Sequence, residues 1–214
     1  HADVTLAYGI KYIWKGRGSS IVGHGVPFSY NSFLSIFDQD HPAYSLKNIG
    51  KELIKIILAY LGYPRFAIHR QNQLLHVDHL RDGQFVYEFQ RCNNYWRGLS
   101  FGHNSDGLAY VIRPKALRDL INAEGYMLIY THLGVGPDRP PFIPPQTQTA
   151  LRYLADTHRN GDIYVTTTSR ILNYYLNHRY LRWSYDVNQD GWVQIAIHGV
   201  SDPIFGFHIP SLDE

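Results

Sequence analysis

Apolar residues recur along this chain at two different periods, and the period marks the elements. Ile49, Leu53, Ile56, Ile57 and Tyr60 return at three- and four-residue steps, the spacing of one helix face, so the pattern predicts a helix over 49–61. Asn48 stands as its cap, and Gly62 and Pro64 as its end. Pro114 opens a second helix, with Leu117, Leu120 and Ile121 on one face and Gly125 closing it. A third runs over 147–160 with Ala150, Leu151 and Leu154 inward, ended by Gly161. A fourth starts at Thr168 or Ser169 and continues through Arg179, with Ile171, Leu172, Tyr175 and Leu176 inward. Period-two or continuous apolar runs predict strands over 4–14, 126–131 and 162–166, with Gly9 breaking the first. Residues 65–91 read as two short strands about the Asp82-Gly83 turn, with Phe85, Tyr87 and Phe89 on one side. Residues 16–25 and 98–106 read as loops, and 27–42 shows no clear period.

From Pro114 onward, helix, strand, helix, strand and helix alternate with short connections, which argues for parallel strands covered by helices. The fold class expected is α/β. After Arg182 the pattern changes. Asp190-Gly191, an alternating stretch over 192–197, and Asp202-Pro203 predict a small β appendage over 183–214.

Composition narrows the picture. The chain has 214 residues, 44% of them hydrophobic, enough for one substantial core. A charged fraction of 18% argues against disorder, and a net charge of +2 gives no electrostatic pointer to nucleic acid. No apolar run approaches the roughly 20 residues that span a bilayer. The single cysteine, Cys92, excludes an intramolecular disulfide and leaves bacterial cytoplasm and cell envelope both open. Seventeen tyrosines and four tryptophans suit a protein that stacks sugars, and equally a protein that fills cores with aromatics.

Two strings carry a family resemblance. Tyr126-Met127-Leu128-Ile129-Tyr130-Thr131-His132-Leu133 is an apolar strand ending in a histidine. Gly161-Asp162-Ile163-Tyr164-Val165-Thr166-Thr167 follows, and leads into a helix ending in His178-Arg179. Together they resemble the last two β/α units of polysaccharide deacetylases, in which a late strand ends in a Leu-x-His-type motif. The string from Ala7 to Tyr12 is similar to the family's middle region. The resemblance is good over 114–179 and loose elsewhere. It implies the later part of a distorted (β/α) barrel over 1–182 and hydrolysis of acetyl groups from a glycan. It also implies a divalent metal such as zinc and a late histidine acting as acid. The family's Thr-Phe-Asp-Asp-Gly-like segment and His-x-x-x-His pair are absent here, and in the family both precede the matched region. The sequence is therefore read as truncated at both ends, with an exposed apolar edge expected and no metal expected on this chain alone. A carbohydrate-binding or scaffold domain of the same fold is the alternative.

The resemblance places the acid on His132, which shares a strand face with Tyr130. A histidine merely hydrogen-bonded to a neighbouring strand is the other reading. Asp38 or Asp40 takes the part of the aspartate that orients the catalytic histidine; solvation or helix capping would equally account for them. Tyr130, Arg17 and Trp14 are the substrate-binding candidates. His76 and Asp78 fall on one strand face and form a weak metal pair, with His79 pointing away. His24, His41, His69 and His103 have no diagnostic spacing. Arg81 and Arg91 are expected to pair across a hairpin with Glu88, contact with an anionic sugar being the other reading. The 16–20 loop lacks the Lys-Ser/Thr ending of a phosphate loop, and Ser19 and Ser20 lack a nucleophile elbow. Cys92 reads as packing.

Overall fold

The structure is a computed structural model and describes residues 8–134 and 142–209. Among the described residues, eight strands and six α-helices make a mixed α/β arrangement. The strands are β1 (Tyr12–Ile13), β2 (Gly18–Ser19), β3 (Leu75–His79), β4 (Phe85–Phe89), β5 (Arg91–Cys92), β6 (Leu181–Val187), β7 (Val193–Asp202) and β8 (Gly206–His208). The helices are α1 (Tyr30–Leu34), α2 (Pro42–Tyr60), α3 (Ser105–Val111), α4 (Pro114–Ala123), α5 (Pro145–Arg159) and α6 (Thr168–Tyr180), with a 3-10 helix over Pro64–His69. They form three small sheets, ordered β1-β4-β3, β2-β5 and β6-β7-β8. The chain divides into two compact units. The larger holds Ile13–Val77 and Tyr87–Val165, and the smaller holds His1–Tyr12, Asp78–Val86 and Thr166–Glu214.

In the larger unit, Leu108 and Ile112 at the end of α3 pack with Leu117 of α4 and Ala150 of α5. Leu151, Leu154 and Ile163 close over them. A second cluster joins Val22, Cys92 and Ala116, with Leu120 and Met127 against it. Helix α5 thus turns inward the face that its periodicity predicts, and α4 turns in Leu117 and Leu120, while Ile121, expected on the same face, is exposed. Pro114 and Pro145 each stand in the first turn, where a missing N–H costs nothing.

Helix α2 departs from expectation in both start and face. It starts at Pro42, seven residues before the expected Ile49, because the proline suits a first turn and nothing from Ala43 to Asn48 breaks a helix. Asn48 is therefore an interior residue, not a cap. The buried positions are Ser45, Asn48, Glu52 and Ala59, whereas Leu53, Ile57 and Tyr60 are exposed. Hydrogen bonding chooses the face. Ser45 Oγ accepts from Asp38 N at 2.8 Å, and Asn48 Nδ2 donates to Trp96 O at 2.9 Å. Glu52 accepts from Ser20 N at 2.9 Å and from Lys55 Nζ at 2.8 Å. A buried carboxylate needs these partners, so the polar stripe goes inward and Leu46, Leu53, Ile54, Ile57 and Leu61 face outward.

The expected parallel β/α pair is not formed. Residues 126–131 run extended but change partner too often to make a ladder. His24 and Tyr126 exchange two backbone hydrogen bonds, at 2.7 and 2.9 Å. Cys92 N then donates to Leu128 O at 2.8 Å, and His132 N donates to His103 O at 2.5 Å. Residues 162–166 are not a strand either. Tyr164 and Val165 are exposed, and the His158 ring holds the turn, its Nδ1 2.9 Å from Ile163 O. The described residues contain no closed barrel. Helix α1 falls in the 27–42 stretch that shows no clear period, and α3 starts at the end of the expected 98–106 loop; both are too short for a period to show. Of the expected strand over 4–14, residues 4–7 lie outside the described residues and only β1 forms.

The smaller unit carries the β appendage, which begins at Leu181. Its antiparallel register pairs Trp183 with Ile197, Tyr185 with Ile195 and Val187 with Val193. These six side chains are all more than half exposed and share one face of the ribbon. Leu172, Tyr175 and Leu176 of α6 are buried, as the helical period predicts. Among the described residues no helix is long and apolar enough to cross a membrane.

The inverted helix makes a contrast that unfolding can read. Glu52→Ala leaves Lys55 and Ser20 N without their buried acceptor and is expected to cost about 3–5 kcal/mol. Ile57→Ala, on the outward face, is expected to stay within about 0.5 kcal/mol. Urea melts of the two variants check this; a large loss from Ile57→Ala would mean that the apolar stripe is the packed one.

Candidate functional site

The site is built outward from one carbonyl. Parallel pairing of β2 with β5 sets Gly18 beside Arg91 and Ser19 beside Cys92. A Cβ on Gly18 would stand 3.4 Å from Arg91 O and from Leu99, an ordinary contact distance. Arg17 O then accepts twice, from Arg91 N at 3.2 Å and from the Trp14 indole Nε1 at 2.7 Å. Cys92 N, one residue on, reaches Leu128 O, which brings Tyr130 to the other side of Arg91.

Arg91 is thereby held between two rings. Its guanidinium carbon lies 3.0 Å from the Trp14 ring centroid and 4.0 Å from that of Tyr130. The rings themselves are 6.2 Å apart and inclined by 28°. Tyr130 Oη lies 2.7 Å from His132 Nε2, and the His103 ring stands edge-on to Tyr130 at 5.9 Å. His132 is fixed through its backbone to His103 O, and Thr131 Oγ1 donates to His103 O at 3.3 Å. Trp14, Tyr130 and His132 are exposed, whereas His103 Nδ1 is buried without a hydrogen-bond partner. Burial, opposed by Tyr130, holds the Arg91 guanidinium below the usual arginine range.

Four of the six residues singled out in the sequence as catalytic or substrate-binding thus meet: Trp14, Arg17, Tyr130 and His132. Arg17 contributes its carbonyl, while its guanidinium sits 3.3 Å from Glu88. That ion pair occupies the partner expected for Arg91, which is free to stack instead. In the sequence Arg91 is expected on Glu88 and His103 has no diagnostic spacing; Trp14, Arg91 and Tyr130 are far apart in the chain and only the fold joins them.

Asp38 and Asp40 do not belong to this face. Asp38 Oδ1 accepts from Asp40 N at 2.9 Å and His41 N at 3.2 Å, and it lies 3.3 Å from His41 Nδ1. Tyr110 Oη donates to Oδ2, and an Arg113 nitrogen is 3.8 Å away. The histidine that Asp38 orients is His41, whose ring stacks on Trp96 at 3.9 Å, and not His132. The Asp38 carboxylate closes the turn that precedes α2, whose N-cap is His41 with no side-chain capping hydrogen bond, while Asp40 is exposed. Of the metal pair, His76 and Asp78 do alternate onto one face of β3. Among the described residues, however, no three His, Cys, Asp or Glu side chains could hold a metal ion. Burial, with Glu52 nearby, pushes the Cys92 thiol up, and it donates to Ile21 O at 3.2 Å, so packing is its role.

No known family model, curated protein or solved structure matches this chain. The reading of the site therefore rests on its own chemistry.

The Asp38 turn yields a pH prediction. Burial alone would raise its pKa, but hydrogen bonds from Tyr110 and His41, with the charge of Arg113, hold it below the usual aspartate range. A depressed folded pKa gives stability that is present above the unfolded value and lost as pH falls through the folded one. Asp38→Asn is therefore expected to melt lower than the native protein at neutral pH, with the gap closing on acidification below pH ~4. Paired thermal melts from pH 7 to 2.5 check this; a gap that persists unchanged in acid contradicts it.

Proposed function

We propose that this chain handles glycans at the face formed by Trp14, Arg91, Tyr130 and His132, with the deacetylation of polysaccharides as the activity that the family resemblance implies. The convergence of exposed aromatic rings on a solvent-accessible imidazole carries the reading. Aromatic faces present an apolar surface with polar edges, which suits the C–H face of a sugar ring flanked by hydroxyls. The Arg91 edge, the Tyr130 hydroxyl and the His132 ring supply hydrogen bonds around that surface.

In the catalytic form of the proposal, His132 gives a proton to the departing amine or alcohol as the acetyl group leaves. Its hydrogen bond to Tyr130 fixes the ring for that transfer. A divalent metal would polarise the acetyl carbonyl in such an enzyme. The described residues offer no donor set for one, so none of them is assigned to it and no step is routed through it. The barrel of that family is part of the proposal and not of its support, since the two segments that suggested it do not form a ladder.

One observation favours a second reading, a carbohydrate-binding domain without catalysis. His132 has no carboxylate hydrogen-bonded to it among the described residues, whereas a catalytic imidazole is commonly oriented by one.

Titration with acetylated and deacetylated chitooligosaccharides tests both forms. Trp14→Ala and Tyr130→Ala are each expected to weaken binding at least about tenfold, as loss of a stacking ring should. In any form of the protein that releases acetate, His132→Ala is expected to slow release by about 10²–10⁴-fold with unchanged melting. Binding that depends on Trp14 without acetate release selects the second reading. Binding that ignores both ring variants removes the glycan face altogether.

A further inference from the structure

We propose that the glycan recognised at this face is acidic, and that Arg91 reads a carboxylate on one of its sugars. This rests on the glycan reading above and narrows it to a substrate class.

Arg17, at the same face, has an acid in Glu88, as Arg113 has in Asp38 away from it. Arg91 makes no ion pair with an aspartate or glutamate among the described residues, and its partners are the two rings, with Tyr130 also hydrogen-bonded to it. It is nevertheless partly buried, and that burial already weighs against its charge. A cation drawn out of water without an anion is electrostatically costly, and a bound anion offsets that cost.

The geometry also selects the anion. The guanidinium lies between the Trp14 and Tyr130 rings, and Tyr130 also hydrogen-bonds to it, so a ligand meets the N–H groups that these two side chains leave uncovered. Those groups belong to a planar fork of N–H donors, which matches the two coplanar oxygens of a carboxylate. Stacking removes side-chain freedom before the ligand arrives, so little entropy is lost on binding. The same rings give the sugar its apolar surface, placing the carboxylate and the ring of one uronic acid residue within a single contact zone. The imidazoles of His132 and His103 flank it and add no negative charge. A neutral sugar would use the rings and leave the fork without an anion.

The test is a titration of the full chain, followed through the Trp14 indole N–H resonance. The probes are tetragalacturonate, cellotetraose and the monosaccharides glucuronate and glucose, at constant ionic strength. Tetragalacturonate is expected to bind at least about tenfold more tightly than cellotetraose, the difference that one bidentate charge-assisted contact supports. Arg91→Gln should bring that ratio near one, and Arg91→Lys, which keeps the charge but loses the fork, should leave it in between. Arg118→Gln, an exposed arginine removed from the face by sequence and fold, should leave the ratio unchanged and so controls for net charge. Equal affinity for the acidic and neutral oligosaccharides overturns the carboxylate proposal and leaves the glycan reading standing. Binding of glucuronate but of neither oligosaccharide supports the carboxylate site and rejects the glycan reading. If Arg91→Gln fails to fold, as thermal melting would show, the Arg91→Lys ratio decides: a ratio equal to the native one rejects the fork. No response to any probe rejects both ideas.

Discussion

The buried carboxylate of Glu52 is the constraint on which the larger unit depends. One oxygen takes Ser20 N and Lys55 Nζ, and the other lies 3.2 Å from Ser19 Oγ. Lys55 in turn donates to Gly18 O at 2.9 Å. A single turn of α2 therefore grips residues 18–20 through side chains and backbone together. Those residues are β2, and β2 sets the parallel register with β5 that delivers Arg91 between its rings. Ser19 Oγ also accepts from Ile21 N at 3.0 Å, and Asn93 N reaches Ser19 O at 2.9 Å. The outward face of α2 follows from the same grip: once Glu52 is inside, Leu53, Ile57 and their neighbours cannot be.

This explains which parts of the fold were legible in the sequence. Helices α4, α5 and α6 bury an apolar stripe, so periodicity finds them and, Ile121 of α4 apart, their inner faces. The Asp82-Gly83 turn and the Asp190-Gly191 turn are local, and each sits where its dipeptide predicts. Helix α2 defeats the same reasoning because its buried stripe is polar, and a polar stripe looks like a solvent face until its partners are known. Residues 126–131 defeat it for another reason. An apolar run cannot say whether it will meet one neighbouring strand or, as here, three separate partners between Tyr126 and His132. The site shows the same division. Trp14, Tyr130 and His132 could be chosen by residue type, but Arg91 joins them through a register that only β2 and β5 define.

The polar interior of the larger unit is managed in two ways. Some groups are paired, as Glu52 is with Lys55 and Arg17 with Glu88. Others are kept neutral. His24 is fully buried, and burial with the charge of Lys55 lowers its pKa to about 3. His69 is lowered to about 3 by burial and by Lys55. Adding a proton to either would set a second cation beside Lys55, so the folded chain excludes it at neutral pH. Arg91 fits neither scheme, because guanidinium cannot shed its proton at any pH the fold survives, and no carboxylate answers it among the described residues. Ring faces are a weaker partner than an acid, worth roughly 1–2 kcal/mol when partly shielded. Arg17 and Arg113 have acids, whereas Arg91 has two exposed aromatics, so among the described residues no acid closes the remaining N–H groups of that cation. Open N–H groups on a fixed, partly desolvated cation are a recognition element, and the rings that hold it in place are the surface on which its ligand rests.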